Sequence, residues 1–386
     1  MNLSPTQQQA QYLAQLKASL TANPKDASLK LRLGKALLQQ NQTTEALETF
    51  NEFRELTADP GLLGDAGKAL LDFEQYEPAK QFLKLALAAQ PSATESRLDL
   101  VLAISHSEGP NAALVELEKI SPDQRKGDYY LMRAQVLDTL GRPSEAAQAL
   151  NQGFHAAPTR SDLYYQGALF LLKHDQYEEA QRLIEQALRV VPEAPELQLS
   201  QAITLELLKK PEDAKKLLVK IQSRWPEWGL PYLIHGIILE IHLFSEEAKA
   251  HLNNAIVLGV NDPIAYYYLA LAISHTDPQD TEGIQKALDQ AIRLSPEDPY
   301  IRWLAGKNAM TRKDYAAALQ HLEAAVRGKP DMVDAHYGLS ATYHALGDQE
   351  KSLSELKEAQ RLEKVSPSAD TQTTSVRDLL FTVRKP

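Results

Sequence analysis

The sequence predicts an all-α repeat solenoid, and three observations lead there. Prolines fall on a 34-residue interval at Pro158, Pro192 and Pro226, and again at Pro296 and Pro330. Small residues keep the same interval at Ala134, Ala168, Ala202, Gly236 and Ala270, then at Gly306 and Ser340 after a slip of two residues. A further series runs Ala146, Ala180, Ala214 and Ala248. Internal periods of roughly 20–50 residues mark stacked supersecondary units that bury their apolar faces only against one another.

The elements follow in chain order. Residues 6–22 read as a lone second helix closed by Pro24, with Gln7, Gln8, Gln9, Gln11 and Gln15 on a solvated outer face. Residues 1–26 are therefore expected to cap the array, hiding the apolar side that a terminal repeat exposes. A typical unit, residues 161–194, carries apolar and small residues at helical spacing over Leu163–Lys173 and Tyr177–Val190. The break between the two runs, His174-Asp175-Gln176, is short and polar, so two antiparallel helices are expected. Gly141 and Gly347 hold the same turn in other units, where glycine relieves the left-handed strain of a helix end. The recurring proline stops the second helix. Ala168, Ala180 and Ala187 stand where the helices must approach closely.

These residues carry a resemblance to the tetratricopeptide repeat (TPR) family. Leu33-Gly34, Ala168, Tyr177, Ala180, Ile184, Ala187 and Pro192 occupy that family's consensus places, and QYEPA (75–79), QYEEA (176–180), DYAAA (314–318) and YHALGD (343–348) repeat its signatures. The resemblance implies a right-handed superhelical solenoid of about ten helix-turn-helix units over residues 27–364, starting near 27, 60, 94, 127, 161, 195, 229, 263, 299 and 333. Two units depart from the pattern. Residues 94–126 place Val101 at the small site and end the second helix early at Pro122. Residues 263–298 carry two extra residues in SHTDPQDTEG, with Ile284 in place of alanine, and read as a tolerated outer turn.

Composition excludes several functions. The formal net charge of −10 and a pI near 5.6 oppose unspecific binding to nucleic acid or anionic membranes. Absence of cysteine removes disulfides, thiolate catalysis and cysteine metal sites. No stretch is apolar enough to span a bilayer, and the first residues lack a secretory leader. A cytoplasmic protein is expected, with a mature exported form left open. No nucleophile elbow, zinc helix, phosphate loop or dinucleotide turn is present, so no enzyme, cofactor or metal is expected. The nearest histidine pairs, His235 with His242 and His336 with His344, stand too far apart along a helix for one metal. Glu206 and Glu240 read as solvated carboxylates, with no apolar pocket to tune either as an acid.

The resemblance further implies a concave surface formed by the second, fifth, ninth, twelfth and thirteenth positions of each first helix. The fifth positions are Tyr165, Leu199, Leu233, Tyr267, Trp303 and Tyr337, and the ninth are Leu169, Ile203, Ile237, Leu271 and Lys307. Leu199 and Leu233 are divided between core and contact roles. An apolar groove through the middle units marks an interaction site, with Asp138, Lys173, Glu206, Glu240, His275 and Lys307 punctuating it. The expected contact residues are Tyr165, Leu169, Ile203, Glu206, Ile237, Glu240, Tyr267, Leu271, Trp303 and Lys307. Toward the N-terminus the groove turns polar, with Lys35, Lys68, Asp72 and Gln135, while Leu31 and Gly64 stand where a carboxylate clamp for chaperone tails needs polar groups. The function expected is a scaffold for a protein or peptide segment. The alternative is the recognition or adaptor subunit of an enzyme assembly, such as a glycosyltransferase or secretion machinery, whose catalysis lies on another chain.

Residues 365–386 form a polar linker, SPSADTQTTS, and a short apolar segment. Val376, Leu379, Leu380 and Val383 fall on one helical face behind a Ser375-x-x-Asp378 capping signal. So short a helix is marginal alone in water. Its expected resting places are the last repeat first, then the groove, another protein or a second copy of the chain.

Overall fold

A computed structural model describes residues 5–365, and among these there are helices and turns but no strand. Contacts divide the chain into two compact units, residues 1–163 and 164–386. The first contains α1 (Pro5–Ala22), α2 (Ala27–Gln39), α3 (Thr43–Arg54), α4 (Pro60–Asp72), α5 (Tyr76–Ala89), α6 (Thr94–Ser107), α7 (Pro110–Leu117), α8 (Gly127–Thr139) and α9 (Pro143–Ala156). The division falls within α10 (Ser161–Lys173). The second holds α11 (Tyr177–Val190), α12 (Pro195–Leu207), α13 (Pro211–Arg224), α14 (Gly229–Ile241), α15 (Ser245–Val257), α16 (Pro263–Thr276), α17 (Thr281–Leu294), α18 (Pro299–Thr311), α19 (Tyr315–Gly328), α20 (Val333–Leu346) and α21 (Gln349–Val365). From α2 onward the helices pair as hairpins whose first members begin at Ala27, Pro60, Thr94, Gly127, Ser161, Pro195, Gly229, Pro263, Pro299 and Val333, in the register set by the prolines and small residues.

Helix starts are local events. Proline occupies the first turn of α4, α12, α16 and α18, where its missing N–H costs no bond. Asp26, Asp59, Asp262 and Asp298 cap α2, α4, α16 and α18 by accepting from backbone N–H groups, as in Leu62 N to Asp59 Oδ1 at 2.8 Å. The small-residue series then sets the hairpin spacing. A Cβ added to Gly236 would lie 2.6 Å from Leu252 Cγ, so α14 and α15 close to a distance that only glycine permits. Ala168, Ala180 and Ala187 are fully buried.

In the first unit, α1 lays Leu13, Leu16 and Leu20 into the cluster that holds Leu31, Leu37 and Phe50, while Gln7, Gln8, Gln9, Gln11 and Gln15 are exposed. The irregular hairpin α6–α7 has a second helix of eight residues, followed by a 3-10 turn at Pro122–Gln124. Arg125 takes over the missing turn, donating from Nε to the Ile120 carbonyl at 3.1 Å and from Nη2 to Glu118 Oε2 at 2.9 Å. Arg97 reaches Glu116 at 2.5 Å from the facing helix. In the second unit the longer turn before α17 is closed by Asp280, which accepts from Gly283 N at 2.8 Å, and Ile284 is buried. The apolar face at Val376, Leu379, Leu380 and Val383 lies outside the described residues.

Most hairpin turns carry one residue in the left-handed region: Asn41, Glu74, Gly141, Asp175, Lys209, Leu243, Lys313 and Gly347. Leu243 is the anomaly, with φ 62° and 67% of its surface exposed. A leucine there pays the left-handed penalty and recovers little by burial, so Leu243→Asn should stabilise the protein by about 1 kcal/mol. Chemical denaturation of the two proteins checks the sign.

Candidate functional site

The candidate surface is the row of first helices α10 (from Tyr164 on), α12, α14, α16 and α18 in the second unit. α14 packs against both α12 and α16, so neighbouring first helices touch along the row. That contact corrects the apolar groove expected from the ninth positions. Ile203 and Ile237 are 3% and 1% exposed and lie in the core cluster with Leu199, Leu233 and Ile234. They are core residues, as are Leu199 and Leu233. Exposure returns at the ends of the row: Tyr165, Leu169, Tyr267, Leu271 and Trp303 are half-buried and Lys307 is exposed. Lys307 Nζ sits 5.6 Å from the centroid of the Trp303 ring, within cation–π range. Burial pushes the Tyr267 phenol above its ordinary range, with neighbouring Tyr268 acting in the same sense.

The carboxylates also differ from expectation. Glu206 and Glu240 are 6% and 2% exposed, and each is held by an imidazole one repeat further on. His242 Nε2 lies 2.9 Å from Glu206 Oε1, and His275 Nδ1 lies 2.6 Å from Glu240 Oε1. Glu206 and Glu240 sit in the last turns of α12 and α14, so the pairs join the C-terminal ends of three successive first helices. Burial raises the Glu240 pKa above the usual carboxylate range. The bond to His275 and the nearby Ser245 hydroxyl oppose that rise, although the second oxygen of Glu240, like that of Glu206, lacks a partner of hydrogen-bonding geometry. Charge in this row is therefore enclosed between repeats. His242 was missed as a partner in the sequence because the pairs are separated by 36 and 35 residues, one repeat plus a remainder that only the stagger of adjacent helices explains. Removing the imidazole in His275→Ala leaves a buried acceptor unmet and should cost about 1–3 kcal/mol. His275→Gln, which keeps a donor, should recover part of this in urea titrations.

A second polar cluster lies behind the row. His235, 4% exposed, packs on His251 with ring centroids 4.1 Å apart and ring planes tilted by 35°. Gln222 Nε2 donates to the Pro231 carbonyl at 3.1 Å and lies 3.2 Å from His235 Nδ1. An amide nitrogen only donates, so His235 Nδ1 accepts and the ring is neutral with its proton on Nε2. Burial, helped by His251 and Lys215, pushes the His235 pKa down to about 4. A histidine depressed in the folded state contributes stability above its unfolded pKa that is lost as pH falls toward the folded value. The His235 contribution should therefore fall by about 2 kcal/mol between pH 7 and pH 5. Comparing the native chain with His235→Leu by denaturation at both pH values isolates it from His251 and His321, which burial also depresses.

In the first unit the corresponding face is more polar. Lys35 lies 3.7 Å from Asp65, and burial raises the Asp99 carboxyl against the pull of Lys68. Leu31 is buried. Among the described residues, no group of three or more histidines and carboxylates stands together to hold a metal ion, and no helix is long and apolar enough to cross a membrane.

Helical hairpins at a fixed repeat define a helical-repeat protein. The repeats themselves identify the family. A tetratricopeptide repeat model matches residues 13–61, 165–218 and 285–331, and a second model of the same description matches residues 309–369. The chain is a tetratricopeptide repeat protein. It is 34% identical over 73 residues to tetratricopeptide repeat protein 21B of Xenopus laevis, covering 19% of this chain and 6% of that protein. It is 32% identical over 92 residues to DnaJ homolog subfamily C member 3 of Gallus gallus, covering 24% of this chain and 18% of that one. The chain thus spans less than a fifth of the curated relatives it matches. Among solved structures, a chain of the APC/C hetero-tetramer Cut9-Hcn1 is similar at 15% identity and a TM-score of 0.49, over 98% of this chain and 87% of that chain. Tetratricopeptide repeat proteins bind protein partners, and the fold is generally an interaction scaffold that is typically non-catalytic.

Proposed function

We propose that this chain is a non-enzymatic scaffold that holds a peptide or partner segment against the first-helix face of its second unit. The observation that carries the proposal is the set of half-buried apolar and aromatic side chains on one face, Leu169, Tyr267, Leu271 and Trp303, with the exposed cation Lys307 beside them. Side chains of this kind supply contact area at low entropic cost, and a neighbouring charge sets the register of the bound segment. Tyr165 belongs to the same surface by its place in the repeat. The closed positions, Ile203 and Ile237 with the enclosed Glu206 and Glu240, act through the rigidity of the row rather than by contact. The formal charge of −10 argues against nucleic acid as the partner.

The experiment is affinity capture with the native chain and with Leu169→Glu, Leu271→Glu and Lys307→Glu variants that keep the native circular dichroism and melting. A partner held by the native chain should bind each variant at least ten-fold more weakly, the about 1.4 kcal/mol expected of a peripheral contact. Equal capture by all four proteins would remove this face from the proposal. A catalytic chain as the lost partner would instead favour the adaptor reading.

A further inference from the structure

The turn between α14 and α15 departs from its counterparts. Leu243 holds the left-handed position and Phe244 follows it, 67% and 47% exposed. After the left-handed residues of the corresponding turns, the place of Phe244 is held by Gln42, Gln75, Arg142, Gln176, Lys210, Asp314 and Asp348. A leucine in that backbone region is strained, and an exposed phenyl ring recovers little by burial. Folding therefore does not account for the pair. Lys215 Nζ lies over the Phe244 ring, 4.8 Å from its centroid, and pairs with Glu212 at 2.6 Å, so one face of the ring is held in place.

The neighbouring turns carry opposite charges. The Glu206–His242 and Glu240–His275 pairs set the C-terminal ends of α12, α14 and α16 side by side, so the turns that follow these helices form one row. Lys209 and Lys210 stand on one side of Leu243 and Phe244, with Asp277 and Glu282 on the other, all exposed. Among the described residues none of these four charges enters an ion pair, whereas Glu212 and Asp213 beside the lysines are engaged by Lys215 and Lys216 of their own helix. Packed helices lie about 8–10 Å apart, which puts each charged turn about one such step from the apolar one. A row that runs positive, apolar, negative is complementary to itself when turned end for end. We infer that this row is the contact between two copies of the chain, related by a two-fold axis at Leu243 and Phe244, with Lys209 and Lys210 of each copy facing Asp277 and Glu282 of the other. Such a contact uses the same patch on both copies and closes at the dimer. It lies on a different surface from the partner-binding proposal and does not rest on it.

Three turns on each copy make a contact of the weak class, under roughly 1,200 Å² in total, so in sedimentation the full chain should pass from monomer toward dimer between about 1 and about 300 μM. Leu243→Asn with Phe244→Asp should weaken that association at least ten-fold while the circular dichroism and melting show the fold retained. The charges set the orientation, and exchanging them tests it. A chain carrying Lys209→Glu and Lys210→Glu should be monomeric, as should one carrying Asp277→Lys and Glu282→Lys, because each presents one sign at both ends of the row. Mixed in equal amounts, the two should form a heterodimer at least ten-fold tighter than either makes alone. A native chain that stays monomeric throughout, or a dimer that the Leu243 and Phe244 substitutions leave unchanged, would overturn the inference. A mixture that gains no association over its separate components would overturn it as well, since the two-fold register requires the charges to meet.

Discussion

In several hairpins a glycine on the first helix faces a large residue on the second, and the spacing of those hairpins follows from that pairing. Gly34 meets Phe50, Gly67 meets Leu83, Gly236 meets Leu252 and Gly306 meets Leu322, each so close that an added Cβ would stand under 3 Å from the opposing side chain. The large side chain fills the space that the small one leaves, and dispersion between close-packed surfaces supplies the attraction. Where the pairing is altered the hairpin alters with it. At Val101 the small residue is replaced, and its partner helix α7 is cut to eight residues and braced by the guanidinium groups of Arg97 and Arg125.

Close hairpins bring successive first helices together, and this decides what the candidate face can be. In the middle of the second unit the contact of α12, α14 and α16 removes Ile203 and Ile237 from solvent and encloses Glu206 and Glu240. A buried carboxylate needs donors, and His242 and His275 supply them from the next repeat. Each imidazole lies at the C-terminal end of its own helix. The carboxylates thus become ties between repeats. The half-buried and exposed side chains of the first helices lie to either side of them, at Leu169 and at Tyr267, Leu271, Trp303 and Lys307.

Much of the architecture was legible because it repeats. The starts of the first helices from α2 to α20, the glycine turns at Gly141 and Gly347, the early end of α7 and the buried Ala168, Ala180 and Ala187 all follow from residues a few places apart in one hairpin. The face was legible only in part. A ninth-position aliphatic side chain has the same local sequence signature whether it is closed, as Ile203 is, or half-buried, as Leu169 is.

The sequence by itself determined the repeat, the helix boundaries and the polarity of each turn, since these rest on backbone preference and on side chains within one hairpin. The tertiary structure alone decided which first-helix residues are closed, that Glu206 and Glu240 are paired across repeats, and that Gln222 and His251 hold His235 neutral. Those outcomes depend on the distance and stagger between hairpins, quantities set by the packing of non-neighbouring side chains and carried by no local pattern.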